Sequence, residues 1–171
     1  MNSSFDRAAD GKSEWLTPPE IIRVLGPFDL DPCAPVNRPW PTASNHLTIE
    51  DNGLLVPRKG FVWCNPPYGA EASAWLGRMA EHGNGIALIF ARTETATFFD
   101  HIWTKATALL FLRGRLSFYH VDGTMGAAAG APSVLVAYGL RAQVRLRSSG
   151  LTGAIVELSP RTVINHPRSH A

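Results

Sequence analysis

The most regular feature of the chain is a set of short, continuously apolar runs separated by amphipathic stretches. Residues 85–90 read Gly-Ile-Ala-Leu-Ile-Phe, 108–112 read Ala-Leu-Leu-Phe-Leu and 133–138 read Ser-Val-Leu-Val-Ala-Tyr. Runs of this length without polar alternation belong to strands covered on both faces. A fourth run, 60–64, ends abruptly on Asn65-Pro66-Pro67-Tyr68-Gly69, where neither proline can donate to a ladder. Phe28-Asp29-Leu30 is a fifth candidate strand and runs into Asp31-Pro32-Cys33-Ala34.

Helical spacing fills the intervals. Ala74, Trp75, Met79 and Ala80 predict an amphipathic helix over 70–81, and Phe98, Phe99, Ile102 and Trp103 form the core side of another over 95–105. An earlier helix opens at Thr17-Pro18-Pro19-Glu20, with threonine as N-cap and proline in the first turn, and closes at Gly26-Pro27. Near the C-terminus, 144–146 and 154–158 predict a hairpin around Ser148-Ser149-Gly150. Strands alternating with helices predict an α/β fold, a compact single domain with a mainly parallel sheet. The expected organisation is a loose leader at 1–13, the main domain at 14–140 and a basic extension at 141–171. Residues 35–48, rich in Pro, Asn, Ser and Thr, read as a long and functional loop.

Composition narrows the class. At 171 residues and 45% apolar content the chain can bury an ordinary globular core. It has no apolar run near the roughly 20 residues of a membrane span, and Asp6 and Asp10 argue against a targeting peptide, so a cytoplasmic, membrane-free protein is expected. Two cysteines and six scattered histidines lack metal-ligand spacing, so no metal is expected. A net charge of +2 says little by itself, but Arg113, Arg115, Arg141, Arg145 and Arg147 face a single acid, Asp122, over 113–147, and Arg161 and Arg168 follow. Such a basic second half suits phosphates, or simply a solvated surface.

The chemistry concentrates at two strand ends, where ligands bind in open α/β sheets. Asn65 offers a carbonyl acceptor. Pro67 has no N–H to consume the Pro66 carbonyl locally, and two prolines stiffen the backbone that carries both oxygens. Acceptors placed on the two N–H bonds of an exocyclic adenine amine pull its nitrogen towards a tetrahedral shape, free its lone pair and stabilise charge developing on it. Tyr68 then stacks on the extruded base. Asn65, Pro66, Pro67 and Tyr68 are therefore the catalytic candidates.

The chain resembles the phage-type DNA N6-adenine methyltransferase family from about Glu14 to Gly139. The resemblance rests on Glu14-Trp15-Leu16-Thr17-Pro18-Pro19-Glu20, Phe28-Asp29-Leu30-Asp31-Pro32-Cys33-Ala34, Asp51-Asn52-Gly53-Leu54, Val62-Trp63-Cys64-Asn65-Pro66-Pro67-Tyr68, Gly114-Arg115-Leu116-Ser117-Phe118 and Ala131-Pro132-Ser133. It implies a Rossmann-like fold, S-adenosylmethionine as cofactor, DNA as partner, and methyl transfer to the N6 amine of adenine. It also implies that Thr17-Pro18 leads into the cofactor pocket, that Asp31 lies beside the cofactor's methionine part with Cys33 close by, and that Asp51 accepts from the cofactor's adenine amine. The usual Gly-rich turn after the first strand is missing: no glycine follows Asp31 until Gly53. The cofactor site is therefore expected to draw on the 35–48 loop.

Other readings were weighed against these. Pro32-Cys33 is similar to the nucleophile segment of cytosine-C5 methyltransferases, but it sits where the cofactor is expected, so a small packed residue is preferred. Asp29-x-Asp31 offers two carboxylates, for which cofactor contact or capping is preferred to metal binding. Arg92 is a candidate for phosphate or for the cofactor carboxylate. No separate recognition domain is evident, so DNA contact is assigned to the insert around 113–132, with Arg115, Arg113 and Trp40 as candidates. The alternatives to adenine methylation are transfer to another amine or amide, such as protein glutamine, and a non-catalytic nucleic-acid-binding relic.

Overall fold

The computed structural model describes residues 15–159; the leader 1–13, Arg161 and Arg168 lie outside that range. The elements are α1 (Pro19–Leu25), β1 (Leu30–Asp31), β2 (Asn45–His46), β3 (Val62–Cys64), α2 (Ala72–His82), β4 (Gly85–Phe90), α3 (Ala96–Phe98), β5 (Ala108–Leu112), β6 (Ser117–Tyr119), β7 (Met125–Ala128), β8 (Ser133–Tyr138), α4 (Leu140–Ser148) and β9 (Gly153–Glu157). A 3-10 turn covers Ile49–Asp51, and a π turn, Phe99–Trp103, continues α3.

Seven strands form one sheet in the order β2-β1-β3-β4-β8-β5-β9, and β6 and β7 form a separate antiparallel pair. The apolar runs explain the layering. Successive residues of β3 and β4 point to opposite faces, so Val62, Cys64, Ala87 and Ile89 pack with Leu76, Met79, Phe98 and Ile102 on one side. Trp63, Ile86 and Leu88 pack with Ile21, Leu25, Ala142 and Leu146 on the other. Helix α2 and the α3–π segment cover the first face; α1 and α4 cover the second.

Five of the seven strands, β2, β1, β3, β4 and β5, run the same way, while β8 and β9 run against them, so the sheet is mostly parallel in direction and mixed in its ladders. β1 pairs in parallel with β2 and β3, and β3 with β4, whereas β8 is antiparallel to β4 and β5, and β9 to β5. Chain geometry gives the reason. After β5 the chain makes the β6–β7 hairpin and enters β8 with no helical crossover, so β8 runs back the way β5 came. Helix α4 then returns, and β9 enters antiparallel, with Gly153 opposite Leu112.

Several local expectations change. Val144–Leu146 is not a strand: it lies in α4, and β9 pairs with β5 instead of closing a terminal hairpin. The sequence alternates Leu140, Ala142, Val144, Leu146 with polar residues, yet burial follows the helical spacing: Ala142 and Leu146 are buried, while Leu140 is 72% and Val144 53% exposed. Thr17 does not cap α1, whose N-cap position is Pro18 with no side-chain bond. Phe99, expected in the core, is exposed because the π turn rotates it outward. Within the 113–132 insert, Met125–Ala128 forms β7, paired with β6.

The turn from β8 into α4 depends on Gly139, at φ +88°, where a Cβ would lie 2.2 Å from the Gly83 carbonyl oxygen. Gly139→Ala combines left-handed strain with a backbone clash and is expected to destabilise by roughly 2–3 kcal/mol. Urea denaturation measures it; an unchanged midpoint refutes the turn's structural role.

Candidate active site

Strands β1 and β3 are parallel neighbours, with Leu30 opposite Val62. Their carboxyl ends therefore place Asp31-Pro32-Cys33 beside Asn65-Pro66-Pro67-Tyr68, as open-sheet topology requires. A cavity of about 560 Å³ lies against both, and its walls include Trp15, Leu16, Thr17, Asp31, Cys33, Pro35, Thr42, Thr48, Asn52, Gly53, Trp63, Asn65, Pro66, Tyr68 and Trp75. The 35–48 loop contributes Pro35, Thr42 and Thr48 to it. Gly53 has its own part: a Cβ there would meet the Pro32 carbonyl oxygen at 1.9 Å, so only glycine lets this wall close on the turn after β1.

Asn65 is oriented unambiguously. Its Nδ2 donates to the Trp15 carbonyl at 3.3 Å. A carbonyl only accepts, so the amide must present its nitrogen there and its Oδ1 elsewhere. That Oδ1 is buried and has no hydrogen-bond partner among the described residues. A buried acceptor left unpaired costs roughly 1–3 kcal/mol, which marks it as a group awaiting a donor. Trp15 is in turn fixed by the hairpin: Leu16 and Tyr119 exchange backbone hydrogen bonds of 2.8 and 3.0 Å, and the Trp15 ring lies 4.9 Å from that of His120. Neither the Trp15 carbonyl nor the hairpin's support carried a signal in the sequence.

Tyr68 is 40% exposed. One face of its ring stacks on Phe90 at 4.1 Å between centroids and 2° between planes, and Phe118 approaches edge-on at 6.3 Å. Pro66 is buried and Pro67 exposed.

Asp31 is 3% exposed. Its carboxylate accepts from the Thr42 hydroxyl and, at 3.1 Å, from the Cys33 N–H. Burial nevertheless raises its pKa to about 6, against the opposing influence of those bonds and of the Arg38 charge. Nearby, His46 Nε2 accepts from the N–H groups of Thr42 and Ala43 at 3.1 and 3.3 Å, so its imidazole is neutral; burial and Arg38 lower its pKa.

Cys33 Sγ lies 3.7 Å from Cys64 Sγ and 3.4 Å from the Asn65 carbonyl oxygen. The Cys64 thiol and burial push Cys33 well above an ordinary thiol. A protonated, packed thiol is no nucleophile. Asp29 does not join Asp31; it is exposed, accepts from the Phe61 N–H at 2.6 Å and faces Arg141 at 4.0 Å.

The other candidates divide. Thr17 is buried on the cavity wall, and its hydroxyl has no partner among the described residues. Pro18 is buried at the start of α1 without lining the cavity. Asp51 is exposed and off the wall: its Oδ2 accepts from Thr48 N at 2.8 Å and Thr48 Oγ1 at 3.1 Å, capping the 3-10 turn whose neighbours Thr48 and Asn52 form the wall. Trp40 packs edge-on to Tyr119 at 5.2 Å, away from the cavity. Arg113 and Arg115 are exposed and follow β5 at the same sheet edge as Asp31 and Asn65. Arg92 lines a second cavity of about 380 Å³ with Thr95, Thr97 and Phe90.

The profile of the DNA N-6-adenine-methyltransferase (Dam) family matches residues 6–145. The chain belongs to this family. It is an enzyme that methylates the N6 amine of adenine in DNA; nothing found favours an amide substrate or a non-catalytic role. No match was found among curated proteins or solved structures. No helix of the methyltransferase among the described residues is long and apolar enough to cross a membrane, and those residues hold no cluster of three or more potential metal ligands.

Asp31 makes the methyltransferase's stability pH-dependent. Its folded pKa, about 6 against an ordinary 3.8, means that the folded state alone loses this proton as pH rises through about 6. The stability present below about 4 is then lost, by up to about 3 kcal/mol. Asp31→Asn is expected to flatten the stability profile between pH 4 and 6 and to stabilise the cofactor-free protein at neutral pH. Denaturation midpoints that keep the wild-type pH dependence exclude a buried ionised Asp31.

Proposed function

We propose that S-adenosylmethionine, the methyl donor that family membership implies, occupies the 560 Å³ cavity and that a flipped adenine enters beside Asn65 and Tyr68. The sheet then works as a Rossmann-like frame, its parallel strands β1, β3 and β4 ending at the ligand edge. The cavity's chemistry suits this cofactor. The Thr17 hydroxyl and the Trp63 and Trp75 indole N–H groups are buried at the wall without partners among the described residues, and Asp31 is a buried carboxylate on which the Arg38 charge acts through its field. A ligand carrying positive charge and several polar groups satisfies both deficits.

The roles follow from position. Asp31 pairs with the cofactor's ammonium group, the Thr17 hydroxyl and Cys33 line the same end, and Pro18 fixes the chain that presents Thr17. Asp51 accepts from the cofactor's adenine amine through Oδ1, since both bonds of its cap fall on Oδ2. When bound, the cofactor supplies an electrophilic methyl group. Asn65 Oδ1 and the Pro66 carbonyl, on a backbone stiffened by Pro67, take the two N–H bonds of the target amine and hold its lone pair towards that methyl. Their dipoles stabilise the charge that develops on nitrogen before its proton leaves. Tyr68 stacks on the base. Arg113, Arg115 and Trp40 contact DNA along the rim.

The observation that carries this reading is the buried, partnerless Oδ1 of Asn65, aimed by the Trp15 carbonyl. Asn65→Ala is expected to lower kcat roughly 100-fold, about 3 kcal/mol, while cofactor affinity stays near wild type. Methyl transfer from labelled cofactor to DNA, paired with calorimetry, measures both; undiminished turnover refutes the assignment. Arg115→Ala is expected to weaken DNA binding and reduce the salt slope by about one counterion. Identical slopes in a salt titration remove Arg115 from the interface.

A further inference from the structure

The Tyr68 ring stands free of its own backbone at the end of a rigid Pro-Pro segment, and what fixes its plane comes from another strand. Phe90 is the last residue of β4, held in register opposite Ser133, and the next residue is anchored by the Ala91 N–H on the Pro132 carbonyl at 2.8 Å. Its ring lies parallel to Tyr68 within 2° at 4.1 Å. That separation is ordinary contact between stacked rings. No base fits between them, so a base that stacks on Tyr68 must take the ring's other face.

We propose that Phe90 is a positioning residue for methyl transfer: it backs the Tyr68 ring and sets the plane against which the target adenine stacks, giving a three-layer order of Phe90, Tyr68 and base. The proposal rests on the reading that Tyr68 stacks on the extruded base. Phe90 itself touches neither substrate nor cofactor, because it lines the second cavity and not the one beside Asn65. That second cavity, about 380 Å³, lies against both Phe90 and Tyr68. A tilt of Tyr68 moves the amine away from Asn65 Oδ1 without altering how tightly the cofactor binds.

The test uses the full chain, a duplex with 2-aminopurine at the methylated position for time-resolved fluorescence, and ordinary substrate DNA for kinetics. Phe90→Leu is expected to lower kcat/KM for DNA roughly three- to tenfold, the range of one aromatic pair, with cofactor affinity unchanged by calorimetry. It also shifts amplitude from the short, stacked lifetime to the long, unstacked one. Phe90→Trp restores both readouts to within about twofold, which a general packing defect would not do. Tyr68→Ala removes the short lifetime outright. If Tyr68→Ala leaves the lifetimes as in wild type, stacking on Tyr68 is wrong and the proposal falls with it. If Tyr68→Ala removes the short component but Phe90→Leu matches wild type in lifetimes and kinetics, the Phe90 proposal alone is overturned. Loss of cofactor affinity in both Phe90 variants, with no rescue by tryptophan, makes Phe90 structural and also overturns it.

Discussion

Burial of the central strands on both faces is the constraint from which the rest of this structure follows. Val62, Trp63, Cys64, Ile86, Ala87 and Leu88 are all fully buried, three successive residues from each of two neighbouring strands. Such strands have no face on which a polar group can be kept without a hydrogen-bond partner. Chemistry is therefore expelled to the strand ends. Because β1, β3 and β4 run the same way, their ends fall on one edge. Asp31, Asn65 and Phe90 are successive solutions to the same problem, each the first or last residue at which the chain leaves the core.

Once the chemistry is at an edge, precision has to come from elements outside the sheet. Asn65 is not held by its own strand but by the Trp15 carbonyl, and Trp15 belongs to a segment that bridges to β6 through Leu16 and Tyr119. The hairpin between β5 and β8 thus reaches Asn65 through its backbone bonds to Leu16 and the neighbouring Trp15 carbonyl. Two close approaches lock this arrangement. A Cβ at Gly126 would meet the Trp15 ring at 2.6 Å, and one at Gly123 would meet Pro39 at 3.3 Å. The Gly/Ala-rich composition of the hairpin serves tight packing against the active-site wall, not looseness.

The electrostatics are built to be incomplete. Asp31 is buried, with hydrogen bonds sufficient to orient it but too weak to offset its burial, so its pKa stands near 6. The Asn65 oxygen and the Thr17 hydroxyl are likewise left without partners among the described residues. Each deficit lowers stability, that of Asp31 by up to about 3 kcal/mol above pH 6, and the proposed cofactor and base would remove them. The Cys33–Cys64 contact, in the middle of these groups, is by contrast neutral and inert, and fills the space between two strand ends with soft, polarisable volume.

The sequence by itself determined the central strands and the polar motifs that end them. Continuous apolar runs at 85–90, 108–112 and 133–138 became β4, β5 and β8 with those bounds, because hydrophobic burial on two faces leaves a signature that no neighbour can mask. Asn65-Pro66-Pro67-Tyr68 was legible for a similar reason: two prolines end a strand wherever they occur. Tertiary structure alone decided the rest. The alternating pattern at 140–147 suits an edge strand, yet with β8 running antiparallel the chain had to cross back over the sheet, and a helix buries Ala142 and Leu146 while doing so. β8 runs against the mostly parallel sheet because a hairpin, not a helix, connects β5 to β8. That Asp51 caps the 3-10 turn, and that Thr42, Trp15 and Phe90 meet Asp31, Asn65 and Tyr68, was not readable from any local pattern. Local propensity and patterning are properties of a few adjacent residues. Which carbonyl meets which amide across 50 positions of chain is fixed only when the layers close.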